Sequence, residues 1–355
     1  MVTILPRAQI TELRNLLSTS KKVLFFYDSD PDGLCSFLLL HRYLKALGTE
    51  NKGIIVKTTS HLDRNWVRQI DQYQPDTVII LDMPVVDQSF IDGSKVPVYW
   101  IDHHTPQDKQ NVHYYNPRIK KSDAYIPTTR IAYEITKKAR PDDMWIAAVG
   151  CVADWYVPDF KKELMKKYPS LMDSSVKDPE TALFESPAGR LARIFSFVLK
   201  GKTNHCLKCV AQLAKIQHPD ELFQSSSSEA RIVLKHSSIV EKKYNELLSQ
   251  AKAQEQKSNF FVFTYEENQW SFSSDLSNEI AHLHPDKVTL VCREKNGEYK
   301  CSLRSRKKPI AGVLQHALIG INGRGGGHEY ACGAVIARED FERFLDAFKR
   351  EYEKE

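Results

Sequence analysis

Short runs of apolar residues alternate with helix-like stretches over the first 155 residues of the chain. The runs are continuously apolar, and an apolar-rich helix that follows the first of them ends at Gly48. Continuous apolar strands between helices are typical of a parallel sheet covered on both faces, so the pattern predicts an α/β domain. The predicted strands are 23–27, 54–56, 77–81 and 98–101, and the first helix is 34–47.

A change of pattern after residue 158 predicts a second part of the chain. A helical region over 159–228 ends in a run of serines at 225–228, and one long helix follows over 229–257. Beyond it the pattern returns to strands, with two short helices and a Gly-rich loop. We therefore predict a first-domain core at 1–158 that 159–228 completes, a connecting helix, and a smaller α/β domain at 258–355. The apolar stripe expected on the connecting helix is Ile232, Val233, Ile239, Val240, Leu247 and Leu248.

Acidic residues stand where the predicted strands of the first domain end, and a further acid follows an apolar helical stretch. Since ligands of an open α/β sheet bind beyond the carboxyl ends of its strands, these groups should converge at one edge. Such a cluster repels itself unless cations neutralise it. Carboxylates with one or two imidazoles suit Mn²⁺ or Mg²⁺ rather than a thiolate-bound zinc. The residues are Asp28, Asp30, Asp32, Asp82, Asp102, His103, His104 and Asp154.

Each of these motifs has a simpler interpretation when taken alone. The segment Asp-Ser-Asp-Pro-Asp-Gly at 28–33 is also the kind of sequence found in a calcium loop or a solvated turn. An EF-hand is excluded, because the twelfth loop position is Leu39 instead of Glu and a buried strand precedes the segment. Single acids at strand ends and adjacent histidines are common, but all four motifs in this order favour a metal site.

Composition adds little to this interpretation. The 355 residues carry a net charge of +5, which permits a polyanionic partner without requiring one. The N-terminus lacks a signal peptide's apolar core, and no run approaches the roughly 18 apolar residues that span a bilayer. The seven cysteines are odd in number and scattered, which argues against a disulfide framework. We therefore expect a cytoplasmic protein without a membrane partner.

Together the motifs resemble those of the DHH phosphoesterases, the superfamily of RecJ exonucleases, oligoribonucleases and cyclic-dinucleotide phosphodiesterases. The resemblance lies in the Asp-x-Asp-Gly loop, Asp82, the Asp-His-His triplet at 102–104 and Asp154. At the far end, 301–305 and the Gly-Arg-Gly-Gly-Gly-His segment at 323–328 resemble the DHH-associated C-terminal domain. The resemblance implies a parallel-sheet catalytic domain, a smaller α/β substrate-binding domain and an active site in the cleft between them.

The same resemblance implies roles for the first domain's residues. Two Mn²⁺ ions, with Mg²⁺ as the other candidate, would be held by Asp30, Asp32, Asp82, His103 and Asp154. Asp82 would bridge the two ions. Asp102 would orient an imidazole, and His104 would lie near the scissile phosphate. The family usually has His where this chain has Asp28, which could still ligate through oxygen but adds one negative charge.

The second domain would bind the substrate. Gly325, Gly326 and Gly327 would form a loop whose backbone N–H groups bind a phosphate. Arg304 would clamp a phosphate through two donors, with Ser302 and His328 beside it. In the first domain, Trp155 and Tyr156 directly after Asp154 either stack on a base or pack at the domain interface.

The leading hypothesis is an Mn²⁺-dependent exonuclease that hydrolyses single-stranded DNA or RNA to nucleoside monophosphates. One alternative is a small-substrate phosphoesterase acting on nano-RNA, a cyclic dinucleotide or adenosine bisphosphate. Another is a weakly active scaffold of replication or repair. The partners expected are single-stranded nucleic acid or a short oligonucleotide, and a second copy of the chain or a replication or repair protein.

Overall fold

The computed structural model describes residues 4–57, 61–254, 258–266 and 270–354. It divides the chain into two units, residues 1–237 and 238–355. The strands of the first unit are β1 (Lys22–Asp28), β2 (Glu50–Val56), β3 (His61–Leu62), β4 (Thr77–Leu81), β5 (Val85–Val86), β6 (Val98–Ile101) and β7 (His113–Tyr115). Its helices are α1 (Arg7–Thr19), α2 (Pro31–Ala46), α3 (Val67–Tyr73), α4 (Gln88–Gly93), α5 (Thr128–Thr136), α6 (Met144–Ala153), α7 (Lys161–Lys167), α8 (Pro179–Phe184), α9 (Pro187–Val198), α10 (Thr203–Leu213) and α11 (Asp220–Gln224). The boundary between the units falls within α12 (Ser228–Lys252).

The predicted parallel sheet is present in the first unit, with strands in the order β2-β1-β4-β6-β7. Both faces of the sheet are buried, which explains why its strands read as continuous apolar runs. Along β1, Phe25 and Tyr27 pack into one core with α1, α2, α5, α6 and α9, while Leu24 and Phe26 pack into a second core with α3 and α4. From β1 the chain passes to β2 on one side, and it then crosses to β4 on the other side of β1. The crevice between β1 and β4 is therefore the switch point of the sheet, where an open α/β sheet binds its ligands.

The second unit contains a mixed sheet in the order β11-β12-β10-β9-β8. Its strands β8 and β9 are parallel and the other neighbours are antiparallel. The strands are β8 (Phe260–Glu266), β9 (Val288–Lys295), β10 (Glu298–Arg304), β11 (Gly323–His328) and β12 (Ala331–Ala337). The helices are α13 (Ser273–Leu283), α14 (Ala311–Ala317) and α15 (Phe341–Lys354). This second α/β domain was also predicted.

The two faces of the mixed sheet differ. On one face Leu303 and Cys332 pack into a core with α14 and α15. On the other face α13 contacts β9 and β10, so this helix covers one half of the sheet. On the remaining half Gly326 and Gly333 stay exposed. The second face of β11 and β12 is therefore open to solvent.

The structure corrects the predicted loop at Gly325, Gly326 and Gly327. These glycines belong to β11, an edge strand paired with β12. Backbone N–H groups alternate in direction along a strand, so they cannot converge on one anion as they do in a nest. The pairing of two strands close in sequence overrode the local preference of glycine for turns.

The connecting helix differs from its prediction in two respects. α12 ends at Lys252, and the predicted boundary at 257 lies outside the described residues, as do the chain ends at 1 and 355. Ile232 and Ile239, predicted on the buried stripe, are 47% and 56% exposed, while Val233 and Val240 are buried. Among the described residues, no helix combines the length and the apolar character that crossing a membrane requires.

Candidate metal centre

The segment that follows β1 folds into a tight strand-to-helix turn. Asp30 is the N-cap of α2, and its Oδ1 accepts a hydrogen bond from the backbone N of Gly33 at 2.8 Å. A Cβ at Gly33 would lie 2.7 Å from the carbonyl oxygen of Asp28, so only glycine allows this close approach. The turn delivers Asp28, Asp30 and Asp32 to the carboxyl edge of the sheet.

Asp32 is 1% exposed and is held by the first turn of α5. Its two carboxylate oxygens accept hydrogen bonds from the backbone N atoms of Thr128 and Thr129, each at 2.8 Å. The free N–H groups at a helix N-terminus favour a negative charge. The side-chain hydroxyl of Thr129 also donates to the backbone carbonyl of Asp32 at 2.9 Å. Asp32 thus joins α2 to α5 and is fixed in position.

Asp82 follows β4 in a left-handed backbone conformation with φ of 59°. A non-glycine residue in this region carries strain of about 1–3 kcal/mol, which the surrounding structure must offset. Its Oδ1 accepts a hydrogen bond from Thr128 Oγ1 at 3.0 Å, and the residue is 1% exposed. The strained turn directs the carboxylate toward the residues that follow β6.

His103 brings the three strand-end motifs and Asp154 together. Its Nε2 lies 3.3 Å from Asp82 Oδ1, 3.7 Å from Asp154 Oδ2 and 3.9 Å from Asp32 Oδ2. Two sets of potential ligand atoms lie within 4.8 Å of one another, Asp82 with His103 and His104, and Asp32 with His103 and Asp154. Among the described residues, the buried Asp154 Oδ2 accepts no hydrogen bond, which is expected of an oxygen that acts as a metal ligand.

Asp102 is fully buried and positions His104. Its Oδ1 lies 2.7 Å from His104 Nδ1, and its Oδ2 accepts a hydrogen bond from the His104 backbone N at 3.0 Å. The hydroxyl of Tyr114 and the amide of Asn116 also donate to Oδ2, each at 3.2 Å. Both carboxylate oxygens of the buried Asp102 are therefore hydrogen-bonded.

The surroundings of the clustered acids disfavour their ionised forms. Burial, followed by repulsion from Asp28 and Asp32, raises the pKa of Asp30 to about 7. Burial and the neighbouring carboxylates also raise the pKa of Asp82 and that of Asp154 well above their ordinary value. The attraction of bound cations would offset both the burial of these carboxylates and their mutual repulsion. The donor set therefore fits hard divalent ions such as Mn²⁺ or Mg²⁺.

The pKa values of His103 and His104 shift in opposite directions. Burial lowers the pKa of His103, which favours the neutral imidazole that a metal requires. Burial also disfavours charge on His104, but the hydrogen bond and the charge of Asp102 outweigh it and raise the pKa of His104. His103 therefore fits the role of a ligand and His104 that of a proton donor.

Sequence reasoning missed the residues that support this cluster. Thr128 and Thr129 anchor Asp32, Asn116 bonds Asp102, and Tyr125 donates through its hydroxyl to the Asp154 backbone carbonyl at 2.9 Å. The Tyr125 ring also lies 5.6 Å from that of His103 between centroids. No sequence motif marks these residues, since each acts through a contact with a residue distant in the chain.

In the second unit, four of the six residues predicted to bind substrate lie on one face of its sheet: Ser302, Arg304, Gly326 and His328. Gly325 and Gly327 alternate with them along β11 and lie on the side of the core. Ser302 and Arg304 alternate with the core residues of β10, so they point to the face that α13 covers in part. In register across β12 they align with Gly326 and His328 of β11.

Arg304 makes its hydrogen bonds to uncharged groups. Its guanidinium bonds Asn278 Oδ1 at 2.6 Å, Ser274 Oγ at 3.2 Å and the backbone carbonyl of Leu303 at 2.9 Å. Burial lowers the pKa of Arg304 to about 10, and the charges of Cys332 and Asp275 act in the opposite direction.

Both halves of the architecture match known family models. A model of the DHH family N-terminal domain matches residues 22–153, and a model of the DHHA1 domain matches residues 257–354. The chain belongs to the DHH superfamily of phosphoesterases. No curated protein matches the sequence.

Solved structures with the same fold include RecJ from Thermus thermophilus in complex with Mn²⁺, at a TM-score of 0.72 and 17% identity. The match covers 99% of this chain and 56% of that RecJ, so the chain spans little more than half of its length. A pGpG-specific phosphodiesterase from Vibrio cholerae matches at a TM-score of 0.51 and 16% identity, over 94% of this chain and 99% of that one. CDC45 from Entamoeba histolytica matches at 0.50 and 12%, over 97% and 99%. At these identities the likeness establishes the fold alone.

Proposed function

We propose that this protein is a metal-dependent phosphodiesterase that releases nucleoside monophosphates from an end of single-stranded DNA or RNA. The observation that carries the proposal is the convergence of Asp32, Asp82, His103 and Asp154 around shared positions for cations. Buried carboxylates side by side oppose folding, so their presence supports a functional role. The RecJ from Thermus thermophilus was solved both with Mn²⁺ and with Mg²⁺, which supports the choice of ion.

Six residues would hold the ions in this proposal. The five carboxylates among them, opposed to two dications, would leave a formal charge of −1, which would favour tight ion binding but would oppose an anionic substrate. Bound cations would polarise the phosphate and lower the pKa of a bound water, which is the chemistry that hydrolysis needs. The six are Asp28, Asp30, Asp32, Asp82, His103 and Asp154, with Asp82 proposed as the bridge.

Asp102 and His104 would together present a proton to the substrate. A carboxylate only accepts, so the proton on His104 Nδ1 points toward Asp102 and Nε2 is the atom available to the substrate. Because the pKa of His104 is raised, the ring keeps its second proton closer to neutral pH. Nε2 would then donate to a phosphate oxygen or to the leaving oxygen. Asp102 acts through His104 and is a positioning residue.

The open face of the second unit's sheet would hold the substrate's phosphates. A Cβ added at Gly326 would meet no atom within 4 Å, and one added at Gly333 would meet a single atom, at 3.8 Å, so a ligand can approach the strands closely. Arg304, Ser302 and His328 surround this flat area with donors. The open strand face thus takes the place of the predicted loop in our proposal.

A second candidate is a phosphodiesterase for short substrates. The pGpG-specific enzyme shares this fold over 99% of its length, which supports this candidate. An exonuclease RecJ solved with manganese is matched over 95% of its length, so coverage by itself does not separate the two candidates. Both candidates use the same metal centre and differ in the length of strand that is accepted.

The test uses end-labelled linear and circular single strands of DNA and RNA with Mn²⁺, at lengths of two, five and about twenty residues. An exonuclease shortens linear strands of every length and leaves circles intact. A short-substrate enzyme is fastest on the dinucleotide and slow on the longest strand. Asp82→Asn should abolish cleavage, whereas Asp71→Asn, a change of an exposed carboxylate, should not. Equal cutting of circular strands would exclude the exonuclease, and no cleavage of any strand would exclude both candidates.

A further inference from the structure

A cavity of about 510 Å³ opens beside the metal centre, within the first unit. Its volume is in the range that small-molecule sites occupy, about 300–1,000 Å³. It is formed by the chain that leads into α1 and by the segment 116–126 between β7 and α5. The residues that line it include Leu5, Asn116, Ile119, Lys120, Ala124, Tyr125 and Tyr156.

Single residues form the wall between this cavity and the metal centre. Tyr125 lines the cavity, and its hydroxyl donates to the Asp154 carbonyl while its ring contacts His103. Asn116 also lines the cavity, and its amide donates to Asp102 Oδ2 at 3.2 Å and to the His104 carbonyl at 2.9 Å. A ligand in the cavity is therefore one side chain away from the residues proposed to hold the ions.

The lining has the chemistry of a site for an aromatic ring attached to an anion. Two tyrosine rings and the aliphatic side chains of Leu5 and Ile119 offer apolar surface. Lys120 lies at the exposed rim, where it attracts a negatively charged group, whereas Lys121 is paired with Asp123 of the same rim at 3.6 Å. Ile119 is 55% exposed, so its side chain is accessible to a ring bound in the cavity.

We propose that this cavity is a base-binding subsite, which takes the aromatic base of a nucleotide whose phosphate lies at the metal centre. The inference rests on the proposed function and adds a specificity element to it. The base would lie against Tyr125 and Ile119, and the phosphate would face the ions. Tyr125 would connect the two sites, since it contacts the base on one side and His103 and Asp154 on the other.

The test compares the binding of AMP with that of ribose 5-phosphate, which has the same phosphate and no base, by calorimetry on the full chain with Mn²⁺. Stacking of one base predicts that AMP binds roughly tenfold more tightly or better. Ala124→Phe should fill the cavity, and Ile119→Ser should remove apolar wall, so each should reduce that preference to about twofold or less. Leu47→Ser is the matched control, because Leu47 is 49% exposed and does not line the cavity.

Equal binding of the two ligands, binding of neither, or a preference that survives both cavity variants would overturn the subsite. Ile119→Ser changes an exposed position, so it keeps the test valid if Ala124→Phe does not fold. Hydrolysis of strands without a preference for AMP would leave the proposed function intact and remove the subsite. A preference for AMP without hydrolysis of any strand would support the subsite and exclude the proposed function.

Discussion

Replacing Asp30 by Asn should make the metal-free protein more stable while weakening its response to metal. Asn is as good an N-cap as Asp, so the hydrogen bond from Gly33 N to Oδ1 is kept and α2 retains its start. What is lost is a charge in a buried cluster, where burial and the charges of Asp28 and Asp32 raise the pKa of Asp30 to about 7. The variant therefore separates the destabilising effect of the Asp30 charge on the metal-free fold from the contribution of that charge to ion binding.

The size of the effect follows from linkage. A folded-state pKa of about 7 against the ordinary value of 3.8 corresponds to about 4 kcal/mol near pH 8, at 1.36 kcal/mol for each pKa unit. A raised carboxyl pKa destabilises the fold as pH rises from the unfolded value through the folded one. The advantage of the variant should therefore fall to about 1–2 kcal/mol near pH 5 and vanish below about pH 4.

The assay is thermal and urea unfolding of the wild type and Asp30→Asn in chelator and in Mn²⁺. In chelator near pH 8 the variant should unfold roughly 8–16 °C higher, since about 1 kcal/mol shifts the midpoint by 2–4 °C in a unit of this size. Mn²⁺ at about a hundred times its Kd should stabilise the wild type by about 3 kcal/mol for each site. The variant should gain much less, so the gap should close.

Two results would refute this reasoning. If Asp30→Asn were less stable than the wild type in chelator near pH 8, the carboxylates would not be repelling one another in the folded protein. If Mn²⁺ raised both midpoints equally, Asp30 would not contribute to ion binding. Asp71→Asn, at an exposed carboxylate, should change neither measurement.

Three further changes test other parts of the structure. Asp102→Asn should lower kcat about a hundredfold and change its pH profile, because His104 loses the carboxylate that orients it, with Mn²⁺ affinity unchanged by calorimetry. Gly150→Ala should reduce the free energy of unfolding in urea by about 1–3 kcal/mol, because the added Cβ collides with the side chain of Thr129. Gly326→Val should leave that free energy within about 0.5 kcal/mol but raise KM about tenfold, since the new side chain projects into open space where the substrate is proposed to lie.

Each of these three predictions has a control variant or a result that would contradict it. Gly312→Ala adds a methyl group in a helix with no atom within 4 Å, so it should not destabilise as Gly150→Ala does. A fall in Mn²⁺ affinity for Asp102→Asn would show that Asp102 contributes to ion binding rather than to the orientation of His104. An unchanged KM for Gly326→Val would remove the open strand face from the substrate site.

Several features of the site could be predicted because they depend only on the ends of strands. Continuous apolar runs predicted strands buried on both faces, and parallel strands bring their carboxyl ends to one edge. Asp82 and His103 were therefore expected near one another, and the structure has them 3.3 Å apart. The Gly-rich segment at 323–328 was mispredicted as a loop, because glycine's local preference says nothing about a partner strand that satisfies its backbone groups.

By itself, the sequence determined the main strands of the first domain's sheet, the order of the motifs and the chemical character of the predicted ligands, since these depend on residues close together in the chain. Only the tertiary structure decided how each acid is held: Asp32 by the N-terminus of α5, Asp102 by Asn116, and Asp82 by a strained turn. It also created the cavity behind Tyr125. The physical reason is that hydrogen bonds and packing between distant segments leave no periodic pattern in the sequence, and they exist only once the chain has folded.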